Sequence, residues 1–121
     1  MTYCGANYEE RRYVATATDD GWDTSDWFNE KETLGFDYPN LPYLKDGDSR
    51  ITETLAIMKY VAMKYKPELL GRNAAELGRV EMLQAHVTTL KMKSTMPCYA
   101  SEDRAPIIEE CQPILAKLVE V

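Results

Sequence analysis

The period of apolar and polar positions changes along the chain, and each change marks an element. Asn7–Val14 (N-Y-E-E-R-R-Y-V), with aromatic residues at Tyr8 and Tyr13, reads as a short strand. Ala15 to Asp23 contains Asp19-Asp20-Gly21 and reads as a loop. Thr24 or Ser25 caps a short helix through Lys31, with Asp26 and Glu30 in its turns. Pro42 cannot donate a ladder hydrogen bond, so it stands just before a strand. Asp46-Gly47 then gives a hairpin between Tyr43-Leu44-Lys45 and Ser49-Arg50-Ile51. Thr52-Glu53-Thr54 opens a helix whose apolar face is Leu55, Met58, Val61, Ala62 and Tyr65.

Pro67 closes that helix, because the residue before a proline resists helical geometry. Lys66 to Arg72 reads as a linker. Asn73 caps a long helix with Leu77, Val80, Leu83, Val87 and Leu90 on its apolar face, and Pro97 interrupts it. A last helix is expected from about Arg104 to Leu118, with Ile107, Ile108, Cys111, Ile114, Leu115 and Leu118 apolar. The order is strand, helix, hairpin, helix, and then helices only.

Charge narrows the function classes. The net charge is −6 and the isoelectric point about 4.8, which argues against nucleic acid and against anionic membrane surfaces. Residues 1–65 hold 7 basic and 12 acidic groups, and residues 66–121 hold 7 and 8, so the excess lies in the first half. No apolar run approaches the length of a membrane span, and the N-terminus lacks a basic-then-apolar signal pattern. Cys4, Cys98 and Cys111 follow no metal or redox spacing, which makes reduced thiols in a cytoplasmic compartment the expectation. His86, the only histidine, reads as a helix-face residue.

Three motifs carry a resemblance. W-F-N-E-K (Trp27 to Lys31), L-G-F-D-Y-P-N-L-P-Y-L (Leu34 to Leu44) and I-T-E-T-L-A-I (Ile51 to Ile57) are similar, in order and spacing, to the mu class of the glutathione S-transferases. The similarity runs in register from about Tyr3 to Tyr99. It implies a partial thioredoxin-like, glutathione-binding domain over residues 1–66 and a partial all-helical domain over residues 73–121. The fold class expected is therefore α/β plus all-α. The similarity starts after the family's first strand and helix, which carry the catalytic tyrosine. No catalytic residue is expected in this chain, and by itself it is expected to be inactive. Tyr3 aligns with the end of that helix and is not the counterpart. The absent strand lies, in the family, between Asn7–Val14 and the hairpin, so association or a loosely packed sheet is expected.

The resemblance also assigns residues. Pro42 resembles the family's cis-proline, and the backbone of Leu41 would pair with the cysteinyl part of glutathione, with Asn40 beside it. Glu53 and Thr54, where the mu class usually has Gln-Ser, would hold the γ-glutamyl ammonium and carboxylate. The ordinary alternative is a capping pair at a helix start. Trp27 and Lys31, four apart on one helix face, would hold the glycyl carboxylate. Thr24 stands where the family often has an arginine. Tyr99 resembles the hydroxyl-bearing residue of the electrophile pocket, with a packed surface tyrosine as the alternative. Tyr38 resembles the aromatic that locks two subunits together, or else folds back on its own core. Thr89 replaces an aspartate contributed across the mu-class dimer.

The expected function is that of a glutathione transferase, joining the glutathione thiolate to a small hydrophobic electrophile, as a homodimer, with glutathione as co-substrate and no other cofactor. A non-catalytic interaction or structural subunit derived from such an enzyme is the alternative. No metal site is expected.

Overall fold

Leu44 is where the first half of the chain is fixed. The computed structural model describes residues 1–95 and, beyond them, Glu109, Gln112, Pro113 and Ala116, which are helical. Two compact units divide it, Met1–Leu70 and Gly71–Val121. The expected last helix, Pro97, Cys98, Tyr99 and Cys111 lie outside the described residues, apart from the four helical positions just named.

In the first unit, strands β1 (Thr16–Thr18) and β2 (Gly21–Asp23) form an antiparallel hairpin with Thr18 opposite Gly21. This corrects the loop expected at 15–23. Every residue of both strands is exposed, so no apolar alternation announces them. Helix α1 spans only Ser25–Phe28, and Lys31–Thr33 is a separate 3-10 turn. The Asn29 and Glu30 amides close the end of α1 onto Ser25 O and Trp27 O. Strands β3 (Tyr43–Asp46) and β4 (Ser49–Thr52) form a second hairpin, and helix α2 covers Thr54–Tyr65. The turn is Gly47-Asp48, one residue later than expected, with Gly47 at φ 56. The two hairpins are separate two-stranded sheets.

The expected strand at Asn7–Val14 is absent, and the segment has no regular secondary structure. A strand needs a neighbour to take its ladder bonds, and no described strand runs beside it. The Val14 amide donates instead to Asp26 Oδ2 at 2.9 Å, and Tyr13 is its only residue that is not exposed.

The buried apolar residues among those described are Leu44, Val61 and Ala62, where β3 meets α2. Burying a side chain of this size contributes about 1.5–3 kcal/mol, so this contact anchors the hairpin. Leu55, Met58 and Tyr65, expected on the inner face of α2, are exposed, whereas Ile57 and Tyr60 are half-buried. The sheet meets the helix along the line 57, 60, 61 and 64, one step round from the expected face. Asp46 fastens the same contact at its edge: it pairs with Lys64 and accepts the Tyr60 hydroxyl at 2.9 Å. Helix α2 ends at Tyr65 before Pro67, and Pro67–Leu70 forms a 3-10 turn where a plain linker was expected.

The second unit opens on a built helix start. Asn73 Oδ1 accepts the Glu76 amide at 3.0 Å, and Glu76 accepts both the Arg72 amide (2.8 Å) and its guanidinium (2.7 Å). Helix α3 spans Ala74–Thr95. None of its described residues is buried: Leu77 and Val87 are exposed, and Val80, Leu83 and Leu90 half-buried. Gly71 has φ 94, and a Cβ there would stand 2.5 Å from the Leu77 amide nitrogen and 2.8 Å from the Glu76 carbonyl carbon. Only glycine fits.

Two outcomes follow from these contacts. Gly71→Ala forces backbone apart at the start of α3 and should cost about 1–3 kcal/mol. Hydrogen exchange of the first-turn amides of α3 reads this, and unchanged protection would contradict it. For Asp46, the Lys64 ammonium and then the Tyr60 hydroxyl hold the carboxyl below its usual range. Its folded value is depressed, so its stabilisation is present above the ordinary aspartate pKa of about 3.9 and lost as pH falls through the folded value. Asp46→Asn should therefore lower stability at neutral pH and flatten the acid limb of the stability–pH curve. An acid limb identical to that of the unaltered chain would contradict this.

Candidate functional site

The chain from Asn40 to Thr54 leaves a loop, crosses the hairpin and returns to the start of α2, bringing both ends of the segment together. The Leu41–Pro42 peptide is cis. Just before it, the Leu41 amide donates to Asn40 Oδ1 at 2.9 Å, and Asn40 Nδ2 donates to Glu53 Oε1 at 3.2 Å. Asn40 therefore joins the loop to the head of the helix.

Glu53 stands at φ 70, ψ 122, and is the non-glycine residue with positive φ among those described. Such a conformation costs on the order of 1–3 kcal/mol unless its surroundings impose it. Here β4 fixes one side and α2 the other, with the Ile57 amide donating to Glu53 O at 3.0 Å. Glu53 makes no side-chain cap to α2; its carboxylate is turned to Asn40. The first amides of α2 thus face outward beside the Thr54 hydroxyl, at the positive end of a 12-residue helix. Glu53 and Thr54 are exposed, as are Asn40, Leu41 and Pro42.

Trp27 and Lys31 are placed by different elements. Trp27 lies in α1, half-buried, stacked on Tyr43 with ring centroids 6.1 Å apart, and meets the edge of Tyr13 at 5.0 Å. Phe36 closes on Tyr43 at 5.1 Å. Tyr43 follows Pro42 directly, so this aromatic cluster ties α1 to the strand entrance. Lys31 belongs to the 3-10 turn, not to α1, which corrects the expectation of one continuous helix face. Its ammonium lies 5.0 Å from the centre of the Phe28 ring and 3.4 Å from Glu32 Oε1.

The surroundings of Trp27 are charged. Arg11 Nη2 reaches Asp26 Oδ1 at 3.1 Å and Glu30 Oε2 at 3.5 Å, and its guanidinium lies 4.8 Å from the Tyr13 ring centre. The Asp26 carboxylate, more than any other neighbour, raises the Arg11 pKa. Burial first, then the Tyr43 and Glu30 hydrogen bonds, push the Tyr13 phenol well above its ordinary value. Tyr13 and Tyr43 share a hydroxyl–hydroxyl bond of 3.0 Å. An open groove of about 1280 Å³ runs beside Leu41 and Pro42, with Tyr13, Leu44, Tyr60 and Val61 in its walls.

Tyr38 is 82% exposed, which excludes the reading in which it folds back on its own core. Tyr3, 73% exposed in an N-terminal 3-10 turn, holds its ring over the Lys66 ammonium at 4.2 Å. Tyr99 lies outside the described residues. Sequence reasoning missed the work of Arg11, Tyr13, Asp26 and Tyr43. Tyr43 alone carried a usable signal, an aromatic directly after the expected cis-proline. Among the described residues no cluster of His, Cys, Asp and Glu could hold a metal ion, and no helix is long and apolar enough to cross a membrane.

Residues 1–63 match the family model described as "Glutathione S-transferase, N-terminal domain". Over 102 residues the chain is 43% identical to Glutathione S-transferase 2 of Gallus gallus, covering 84% of this chain and 45% of that protein. It is 41% identical over 103 residues to Glutathione S-transferase Mu 1 of Bos taurus, covering 84% and 45%. It is 34% identical over 125 residues to a glutathione S-transferase of Dermatophagoides pteronyssinus, covering 98% and 56%. The chain spans about half the length of the curated relatives it matches. Its mixed α/β first unit is that of a thioredoxin-like N-terminal domain, and the chain belongs to the glutathione S-transferase family, with mu-class proteins among its relatives.

Proposed function

We propose that this chain holds the glutathione site of a transferase that joins the glutathione thiolate to a small hydrophobic electrophile. The observation that carries the reading is the link from the Leu41 amide through Asn40 to Glu53 at the start of α2. A peptide with a carboxylate and an ammonium at one end has matching groups there. The first α2 amides and the Thr54 hydroxyl suit the carboxylate, and Glu53 suits the ammonium. The extended middle of the peptide would pair with the Leu41 backbone, and the far carboxylate would reach the Trp27 indole N–H and the Lys31 ammonium. Each relative named above is called a glutathione S-transferase, which favours this reading over the non-catalytic subunit.

The chemistry requires a thiolate. A free thiol has a pKa near 8.5, so a donor near the sulfur must stabilise the anion. No described residue is assigned that role, and we infer that the isolated chain conjugates at close to the uncatalysed rate. Tyr3, exposed and with its ring over the Lys66 ammonium, is not proposed for that role. Exposed Tyr38 suits a subunit lock, and a homodimer is the assembly we propose. A reducing, cytoplasmic setting suits the free Cys4 thiol, and no cofactor besides co-substrate glutathione is invoked.

The binding experiment is an NMR titration of the chain with glutathione. Binding is expected at about the millimolar level, near −4 kcal/mol, and Glu53→Ala should weaken it about tenfold by removing the ammonium's partner. No glutathione-specific response in the unaltered chain would refute the reading. In a chlorodinitrobenzene assay, Tyr3→Phe should leave the rate unchanged.

A further inference from the structure

The candidate carboxylate site has Lys31 as its cation, and Thr24, three residues before Trp27, adds none. It is also surrounded by acids. Asp26 directly precedes Trp27, Glu30 directly precedes Lys31, and Glu32 follows it and already engages the Lys31 ammonium at 3.4 Å. Glu32 engages Lys31 directly, and Asp26 and Glu30 meet at one guanidinium beside the Tyr13 ring that packs on Trp27, so an incoming carboxylate would meet like charge. The unit's excess of acid deepens the problem.

The structure brings a guanidinium to this place from elsewhere in the chain. Arg11, in the irregular segment before β1, contacts Asp26 at 3.1 Å and Glu30 at 3.5 Å with one nitrogen. We propose that Arg11 makes the Trp27–Lys31 site better able to take an anion, by offsetting half of the negative charge that Asp26 and Glu30 bring beside it. It is a positioning residue that acts through Asp26 and Glu30 without touching the ligand.

The magnitudes favour this role over a structural one. Arg11 is 54% exposed and its partners 37% and 39%. Ion pairs at such exposure add little to stability. The segment also has attachments that do not involve Arg11: the Val14 amide on Asp26 Oδ2 at 2.9 Å and the Tyr13–Tyr43 hydroxyl pair at 3.0 Å. The field at a neighbouring anion is another matter. Two uncompensated charges within about a Debye length, roughly 10 Å at 0.1 M salt, act on it directly.

The inference rests on the glutathione reading of the site, and the test separates the two. Glutathione, and glutathione with its glycyl carboxylate converted to an amide, are titrated by NMR into the unaltered chain, Arg11→Gln, and Arg11→Gln/Asp26→Asn/Glu30→Gln. The isosteric Asn and Gln keep the hydrogen-bonding shape and remove the charge. At low salt Arg11→Gln should weaken glutathione binding three- to tenfold and the amide hardly at all. The difference should shrink in 1 M salt. The triple variant, whose cluster is neutral where the unaltered one keeps a single negative charge, should bind glutathione at least as well as the unaltered chain.

If Arg11 merely tethers the segment, both ligands lose equally and the triple variant stays weak, which overturns the inference and leaves the glutathione reading standing. Arg11→Gln binding glutathione as before overturns it too. Loss of the near-ultraviolet circular dichroism of the Trp27–Tyr43 stack in Arg11→Gln assigns Arg11 a structural role and does the same. An unaltered chain that binds neither ligand overturns the reading and the inference together.

Discussion

Everything that resembles a site in this chain hangs on one strand. Leu44 of β3 is buried against Val61 and Ala62 of α2, and the site residues attach at the two ends of that contact. Upstream, the cis Leu41–Pro42 peptide and Asn40 lead into β3; downstream, β4 returns to Glu53 at the head of α2. The outward face of β3 carries Tyr43, on which Trp27 stacks. The β3–α2 contact thus lies between the helix head and the tryptophan, two places that share no element. The left-handed backbone of Glu53 is tolerable for the same reason, since strand and helix on either side leave it no freedom to relax.

The electrostatics divide the site in two. At the α2 end of the proposed site, the polar groups are backbone amides, Asn40 and Glu53, whose use would depend on geometry more than on net charge. At the α1 end, the donors sit among Asp26, Glu30 and Glu32, and their usefulness depends on what those carboxylates are paired with. Arg11 stands beside two of the three, which lowers the negative charge that the proposed peptide ligand would meet.

The β3–β4 hairpin, α2, the Asn73 cap and the stop before Pro67 were legible because local chemistry specifies them: an Asp-Gly pair, a helical apolar period, an Asx cap and a proline. The cis peptide and the segment from Asn40 to Thr54 were legible through family motifs. The β1–β2 hairpin was not, because all six of its strand residues are exposed and no alternation marks it. Asn7–Val14 has the aromatics of a strand but no neighbour to pair with, and pairing is a tertiary fact. The run from Ser25 to Lys31 has helical composition, yet it breaks after Phe28, so the spacing of Trp27 and Lys31 misled. Arg11 and Asp26 are 15 residues apart, and no local pattern connects them.

If β3 joins the two ends of the proposed site, both ends should respond to one ligand together. A titration with glutathione followed by 15N NMR, reading the Trp27 indole N–H together with the Glu53 and Thr54 amides, tests it directly. The account predicts that all three signals move along one binding curve with a single Kd. Movement of the α2 amides with a silent Trp27 indole, or two curves with different Kd values, would contradict it.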